Sequence, residues 1–347
     1  MSTRLTETQK ASSNAITVRN VELTYSDGTR AVRGIDLDIP QGEFFGFLGP
    51  NGAGKTTAIK TFVTLLQPTS GSVMVNGFDV VDEARAVRSS IGYMAQETSV
   101  DGELTARENI RFACETYGVP RSERAKRIDE LLTLVDLADV ADKQAQEFSG
   151  GMKKRLDVAT ALVHEPPLVF LDEPTTGLDP RARNRLWEYF REINQQGTTV
   201  FLTTQYLEEA DELCDRLSVI QDGKLVATDS PDALKSQVGG DILEITLEDP
   251  ADEQRTQARE VARKSGLFEG NTIESTDKGI AIASEHARRA GTDLLVALRE
   301  AGFTVTGFDV HSPTLDDVFL AITGETTSDE TPNEEQPDDP VQSEVKR

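Results

Sequence analysis

The sequence has few residues of the kinds that cross-link a chain or bind a transition metal. It contains two cysteines, one tryptophan and three histidines, and Cys114 and Cys214 share no motif with each other or with a histidine. These features predict a reduced chain without a disulfide framework or a cysteine-ligated metal. No apolar run approaches the roughly 18 residues that cross a bilayer. The polar residues 1–14 also lack the apolar core of a signal peptide. If the protein serves a membrane, we expect it to do so through a partner.

Positive charge is also scarce. Lysine and arginine total 36 against 60 aspartates and glutamates, which gives a formal net charge of −24. This acidity argues against general binding to nucleic acid, which requires a basic face. We favour adaptation to a salty cytoplasm, where ~1 M salt shortens the Debye length to about 3 Å, over an acidic protein of an ordinary cytoplasm. Composition alone leaves both interpretations open.

Strand and helix patterns alternate through residues 15–238. ITVRNVELTY and AVRGIDLDIP are predicted strands around an SDGT turn, and EFFGFLG, LVFLDEP and TTVFLTT are predicted buried strands. A helix is predicted from Lys55 through Leu66, before Pro68, and a helical subdomain over about residues 97–155. The alternation predicts an α/β fold with a parallel sheet and helices on its faces.

A different pattern follows Gly239 and Gly240. Residues 241–324 show the order βαββαβ, which predicts a small ferredoxin-like α+β domain, and they end in a short helix, TLDDVFLAITG. Residues 325–347 are rich in Asp, Glu, Thr, Pro and Gln. We expect them to form a disordered acidic tail, and residues 1–14 a disordered N-terminus.

The stretch GPNGAGKTT lies between a predicted strand and a predicted helix. Glycines allow a backbone to wrap a phosphate chain with its N–H groups aimed at the oxygens. Lys55 would reach the outer phosphates, and the Thr56 hydroxyl can ligate Mg²⁺. The plain alternative is a glycine turn, which does not require the flanking strand and helix. The residues predicted to contact the phosphates are Gly49, Pro50, Asn51, Gly52, Ala53, Gly54, Lys55, Thr56 and Thr57.

Two carboxylates end the predicted buried strand LVFLDEP. They stand at its carboxyl edge, where ligands bind in open α/β sheets. We expect Asp172 to hold Mg²⁺, directly or through water, and Glu173 to polarise the water that attacks the γ-phosphate. The alternative is that both only cap the end of the strand.

The stretch FSGGMKKRLD has the form of a second anion site, in which Ser149, Gly150 and Gly151 open a basic helix. The plain alternative is a serine N-cap with a solvated basic face. If the first loop already holds the phosphates of its own nucleotide, a second cradle acts only on a nucleotide held by another molecule. Two chains arranged head to tail would enclose two ATP molecules in one isologous contact.

GPNGAGKTT, FSGGMKKRLD, LVFLDEP and TTGLDP together resemble the ATP-binding subunit of an ATP-binding-cassette (ABC) transporter, over about residues 16–235. The resemblance implies a P-loop NTPase with a RecA-like core and a helical subdomain. It also implies that the protein binds ATP and Mg²⁺, hydrolyses ATP and works as a homodimer. Such a subunit lies at the cytoplasmic face of the membrane on a separate transmembrane permease subunit, whose coupling helices contact the helical subdomain. It has no nucleic-acid partner.

The resemblance assigns further residues. Asp179 resembles the aspartate that links the two sites, Tyr25 the aromatic that stacks on adenine, and Gln96 the glutamine that senses Mg²⁺ and the attacking water. For Tyr25 the alternative is an ordinary tyrosine in a strand core. Gln205 stands where the family usually has a histidine. It can donate a hydrogen bond to phosphate but cannot carry a proton there near neutral pH.

Gln205 and the stretch SPTLDDVFLAITG resemble the daunorubicin-resistance branch of drug exporters, which implies drug efflux. Two other functions stay open on the sequence. One is a soluble cassette ATPase that acts in DNA repair or translation, although no second cassette, zinc module or coiled coil is evident. The other is a nucleotide-binding regulator that hydrolyses ATP slowly, which Gln205 would allow.

Overall fold

A computed structural model of the chain describes residues 14–237, 240–248 and 251–323. The predictions made for residues 1–13, for Gly239 and for residues 325–347 lie outside these ranges. The strands are β1 Asn14–Thr24, β2 Arg30–Pro40, β3 Phe44–Leu48, β4 Ser70–Val75, β5 Phe78–Asp79, β6 Ile91–Met94, β7 Leu168–Asp172, β8 Thr199–Thr204, β9 Arg216–Gln221, β10 Lys224–Asp229, β11 Asp241–Leu247, β12 Ile273–Thr276, β13 Gly279–Ser284 and β14 Val305–His311. The α-helices are α1 Lys55–Phe62, α2 Ala84–Ser90, α3 Ala106–Thr116, α4 Arg124–Leu134, α5 Gly150–Ala161, α6 Pro180–Gln195, α7 Leu207–Leu213, α8 Pro231–Gln237, α9 Asp252–Lys264, α10 Ala287–Glu300 and α11 Leu315–Thr323.

The central sheet has six strands in the order β10-β9-β3-β8-β7-β6. Strands β9, β3, β8, β7 and β6 run parallel, and β10 is antiparallel to β9. Every residue of β3, β7 and β8 is buried, which explains why these strands are almost continuous apolar runs. The predicted α/β fold with a parallel sheet is confirmed. Because β3, β8 and β7 are neighbours, the loops that follow them meet at one edge.

The first strands of the chain form a second sheet, in the antiparallel order β2-β1-β4-β5. Its apolar face packs with α1 and one side of the central sheet in a shared core that contains Ile16, Ile39, Ile59 and Phe201. Helices α3, α4 and α5 pack on the opposite side and share a core with Leu171, Leu202 and Phe190. The central sheet is therefore covered on both faces, as a parallel sheet must be.

The helix after the glycine-rich loop is shorter than predicted, because α1 ends at Phe62 and not at Leu66. Thr64 adopts a left-handed backbone with φ of 68°. The amides of Leu65 and Leu66 then both donate to the carbonyl of Lys60. This reversal satisfies a carbonyl of the last turn and stops the helix before Pro68.

The C-terminal residues form a third sheet, antiparallel in the order β12-β13-β11-β14. The predicted βαββαβ order is observed, and α9 and α10 pack against the sheet around Leu243, Ile282 and Leu294. The second helix of this order, α10, begins at Ala287. The ferredoxin-like name for this unit stays a prediction.

Helix α11 does not pack on the third sheet. Its buried residues Leu315, Val318 and Phe319 share a core with Leu207 of α7 and Leu234 of α8. The last helix of the predicted unit 241–324 thus completes the core of the unit that precedes it. Within the described ranges, no helix combines the length and apolarity needed to span a bilayer.

Candidate nucleotide site

The phosphate loop joins β3 to α1 and passes very close to neighbouring backbone. A Cβ on Gly49 would lie 2.4 Å from the carbonyl oxygen of Ile220, and a Cβ on Gly54 would lie 2.4 Å from that of Ala31. Gly54 also has a φ of 108°, which L side chains rarely adopt. The close packing of the loop against neighbouring backbone therefore requires glycine at both positions.

Lys55 connects this loop to the end of β7. Its Nζ donates to the carbonyl oxygens of Gly49, at 2.7 Å, and Pro50, at 3.2 Å. It also lies 3.3 Å from Oε1 of Glu173, in an ion pair with both side chains buried. Burial lowers the pKa of Lys55, and the negative charge of Glu173 opposes that shift. The loop thus holds a buried positive charge beside the carboxylates, as the sequence predicted.

Thr203, near the end of β8, contacts the Asp172 carboxylate at the end of β7 and the backbone of the next residue, Glu173. Its hydroxyl donates to Oδ1 of Asp172 at 2.5 Å and accepts the backbone N–H of Glu173 at 3.1 Å. Oδ2 of Asp172 is buried and has no hydrogen-bond partner. Burial raises the pKa of Asp172. A bound cation would favour its ionised form.

The residues present fit a magnesium ion. The unpartnered Asp172 oxygen is a hard oxygen donor of the kind Mg²⁺ selects. The half-buried Thr56 lies on the first turn of α1. No group of three or more His, Cys, Asp or Glu within the described ranges could hold a metal alone. Mg²⁺ takes one or two protein ligands and completes its shell with phosphate and water.

Glu173 is held from three sides in a strained conformation. Its φ is 47°, in the left-handed region that few non-glycine residues occupy. Its backbone N–H reaches Thr203, its Oε1 pairs with Lys55, and its Oε2 accepts from Nε2 of Gln96 at 3.1 Å. The structure thus brings together Lys55, Gln96 and Glu173, three of the predicted site residues. Gln205 follows β8 directly and is half-buried at the same edge.

Tyr25 lies just beyond β1 and close to the first turn of α1. Its hydroxyl is 3.0 Å from Oγ1 of Thr57, and 40% of the residue is exposed. That exposure excludes the alternative of a tyrosine in a strand core. It leaves part of the ring free to contact a planar base.

The predicted second anion site, residues 149–151, is called the signature from here on. Its residues form a separate cluster. Ser149 caps α5, with Oγ accepting the N–H of Met152 at 3.3 Å. A Cβ on Gly151 would lie 3.0 Å from Cβ of Ala182, whose N–H is bonded to the capping Oδ1 of Asp179 at 2.9 Å. The openings of α5 and α6 therefore lie against each other. Ser149 is exposed, and no hydrogen bond within residues 14–237 joins it to the phosphate loop.

Comparison with known proteins identifies the family. Residues 32–176 match the family model described as ABC transporter, and residues 230–323 match that of the ATP-binding protein DrrA1-3-like, C-terminal domain. The daunorubicin resistance ATP-binding protein DrrA3 of Streptomyces coeruleorubidus is 41% identical over 313 residues, which span 90% of this chain and 96% of that protein. The chain belongs to the ATP-binding proteins of ABC transporters.

Other members of the family agree. The linearmycin resistance ATP-binding protein LnrL of Bacillus subtilis (strain 168) is 35% identical over 89% of this chain and 98% of its own length. A dimeric ATP-binding cassette, MJ0796, bound to ADP and Pi has a TM-score of 0.57 at 28% identity, with 62% of this chain and 98% of that chain covered. This ABC protein is accordingly an ATP-binding transport ATPase with a P-loop NTPase fold. The alternative of a soluble ATPase in DNA repair or translation is not favoured.

Sequence reasoning missed how this ABC ATPase ties α5 to the segment after β6. The plain alternative for this helix was a solvated basic face, yet Nζ of Lys154 donates to the backbone carbonyl of Gln96 at 2.6 Å. One turn later the buried Asp157 accepts from the hydroxyl of Ser99 at 2.5 Å. Burial lowers the pKa of Lys154 and raises that of Asp157. The signal available was Asp157, a carboxylate on the apolar side of a predicted helix.

Proposed function

We propose that this protein is the ATP-hydrolysing subunit of an exporter of drugs or other hydrophobic compounds. It acts as a head-to-tail homodimer with two composite ATP sites, and a separate transmembrane permease subunit holds it at the cytoplasmic face of the membrane. The names of the relatives DrrA3 and LnrL, both resistance proteins, support the substrate class. The dimeric cassette among the similar structures supports the dimer.

One observation carries the composite site. The Ser149 cluster packs on the helix that Asp179 caps and makes no hydrogen bond to the phosphate loop of its own chain. The Ser149 hydroxyl accepts one hydrogen bond and keeps its proton to donate. An exposed helix start of this kind attracts phosphate. The phosphate that it contacts would be bound by Lys55 of a second copy.

The chain's own residues then divide the chemistry. Lys55 neutralises the outer phosphates, and Tyr25 stacks on the adenine. Thr56 and Asp172 would hold Mg²⁺, with Gln96 sensing it, and the bound ion would supply positive charge that neutralises the phosphates. Glu173 takes a proton from the attacking water through a lone pair that its contacts leave open, since each carboxylate oxygen has two. Gln205 donates a hydrogen bond to the γ-phosphate.

Mixed dimers test the shared site. Lys55→Ala removes the phosphate-loop cation, and Ser149→Arg blocks the signature, so each variant alone should be inactive. A heterodimer of the two keeps one intact site, because the unaltered loop and the unaltered signature face each other. An equal mixture should recover about a quarter of the wild-type rate if dimers form at random and the sites are independent. Full activity of Ser149→Arg alone, or no recovery in the mixture, would refute the composite site.

The permease contact has its own test. Phe112 on α3 is 66% exposed, the largest value among the exposed large apolar side chains, and it lies in the helical subdomain. Single exposed apolar side chains are common on protein surfaces, so a variant is needed to test whether this one belongs to the contact. Phe112→Ser should reduce co-purification with the proposed permease subunit while basal ATPase activity is retained. Val296→Ser on α10, which removes another half-exposed apolar side chain, is the control. Equal co-purification of both variants would refute this contact.

A further inference from the structure

A buried carboxyl group lies next to the site without contacting it. Glu209 of α7 is 0% exposed. Its Oε1 accepts two hydrogen bonds, from the hydroxyl of Thr175 at 2.9 Å and from Nε1 of Trp187 at 2.9 Å. Its Oε2 is buried and has no hydrogen-bond partner. Packing alone would be served by an apolar residue, without the cost of burying a carboxyl group.

The two donors lie on either side of Asp179. Thr175 is two residues after Glu173, in the loop that leads to Asp179, and Trp187 is in α6, the helix that Asp179 caps. Helix α7, which carries Glu209, begins two residues after Gln205. One carboxylate oxygen therefore fixes both arms of the Asp179 loop to the helix that follows Gln205.

A second contact reinforces the same junction. The guanidinium of Arg183 lies 5.5 Å from the ring centre of Trp187 and 5.8 Å from that of Tyr206, the residue next to Gln205. Arg183 also pairs with Glu208 at 3.3 Å. Cation–π contacts of this kind hold planar groups in a fixed stack. Helices α6 and α7 are thus joined beside Gln205 by the hydrogen bonds to Glu209 and by the cation–π contacts of Arg183.

We propose that Glu209 is a positioning residue for ATP hydrolysis, which holds the Glu173–Asp179 loop in register with Gln205 through Thr175 and Trp187. The inference rests on the proposed function, since it uses the roles proposed there for Gln205 and Asp179. It adds a coupling inside one chain, between the residue that contacts the γ-phosphate of its own site and the residue that reaches the other site.

The conservative substitution at this position is glutamine. Burial raises the pKa of Glu209, and hydrogen-bond donation from Thr204, Trp187 and Thr175 opposes the shift. Glu209→Gln keeps an oxygen that accepts from both donors, and it keeps the shape of the side chain. Glu209→Leu removes the acceptor and leaves two buried donors unpaired. Thr175→Val removes one hydrogen bond at nearly constant volume and leaves the Trp187 contact in place.

The experiment measures kcat, KM and ATP affinity for the full-length protein. Glu209→Gln should stay within about twofold of wild type, whereas Glu209→Leu and Thr175→Val should lower kcat at least about tenfold with KM changed less than about threefold. Ser218→Ala is the control, because Ser218 is 0% exposed and its hydroxyl lies 2.6 Å from that of Thr228, at β9 and β10. It should lower the melting temperature without lowering kcat.

Two outcomes would overturn the inference. One is a kcat of Thr175→Val equal to that of the Ser218 control, which decides the question even if Glu209→Leu does not fold. The other is a loss in Glu209→Gln as large as in Glu209→Leu. If these variants match the control while the mixed dimers recover activity, only the Glu209 inference falls. If the mixed dimers fail and Thr175→Val still lowers kcat, the composite site falls instead.

Discussion

Replacing Thr203 by valine removes one hydroxyl from the end of β8 and changes the side-chain volume very little. The hydroxyl that is lost donates to Asp172 Oδ1 at 2.5 Å. The backbone N–H of Glu173 loses one acceptor but keeps another, the carbonyl oxygen of Thr203 at 3.1 Å. The substitution therefore acts mainly on Asp172, whose second oxygen has no partner to hold it in place.

The structure sets the expected size of this effect. A hydrogen bond to a charged group contributes about 1.5–3 kcal/mol, and its loss here leaves a buried carboxylate oxygen unpaired. A loss of about 2 kcal/mol should lower the melting temperature by about 4–8 °C in a domain of this size. If Asp172 orients Mg²⁺ in the transition state, the same free energy lowers kcat roughly thirtyfold. The Mg²⁺ concentration that gives half-maximal activity should rise as well.

Thr199→Val is the matched control. Thr199 lies on the same strand and is also 0% exposed, and its hydroxyl accepts the N–H of Gly42 at 2.8 Å. Four residues of extended strand, about 13 Å, separate it from Thr203. Steady-state ATPase rates over a Mg²⁺ series should show a loss of kcat in Thr203→Val only, while both variants melt earlier. If the two variants have the same kcat and the same Mg²⁺ dependence, Thr203 does not orient Asp172 for catalysis.

Three further experiments test separate contacts. Gly54→Ala should abolish ATP binding, because the added Cβ would lie 2.4 Å from the carbonyl oxygen of Ala31. A Cβ added at Gly52 would meet no atom within 4 Å, so Gly52→Ala should cost only about 1–2 kcal/mol of backbone strain. Equal ATP binding by both variants would contradict the steric argument. Burial lowers the pKa of His164 below its ordinary 6.5, so stability should fall as pH drops below about 6.5. Urea unfolding of His164→Gln should show a weaker loss between pH 8 and pH 5, and an unchanged loss would exclude His164 as the cause. Tyr25→Phe should keep the ATP affinity of the wild type, whereas Tyr25→Ala should lower that affinity roughly five- to hundredfold because a base stack is lost. Equal ATP affinity of the two variants would exclude stacking.

The sequence was sufficient to predict that several chemically important residues lie at one edge of the central sheet. Three buried strands read as apolar runs, and each is followed directly by residues with phosphate or metal chemistry. Because parallel strands present their carboxyl ends at one edge, Lys55, Asp172 and Gln205 had to converge once β3, β7 and β8 were neighbours. The motif likewise predicted glycine at positions 49 and 54. The backbone carbonyls that exclude a Cβ there belong to strands distant in sequence, and the motif did not reveal them.

The contacts that hold the site were not predictable in the same way. Thr203 is 31 positions from Asp172, Glu209 is 34 from Thr175, and Lys154 is 58 from Gln96. A threonine in a buried strand, or a glutamate in a short helix, carries no periodic signal of its partner. The local pattern also did not predict strand β6, which has only four residues.

The geometry of Ser149 bears most directly on how two copies work together. A serine that only capped α5 would need its oxygen as an acceptor, and that need is met by the N–H of Met152 at 3.3 Å. The cap also fixes the position of Oγ, so the hydroxyl proton can be directed outward at little entropic cost. Gly151 packs against the helix capped by Asp179, so in the proposed dimer a phosphate bound at Ser149 would act on Asp179 through that contact. The loop of Asp179 begins at Glu173, so in the proposed dimer closure of one site would also act on the proposed catalytic carboxylate of the other.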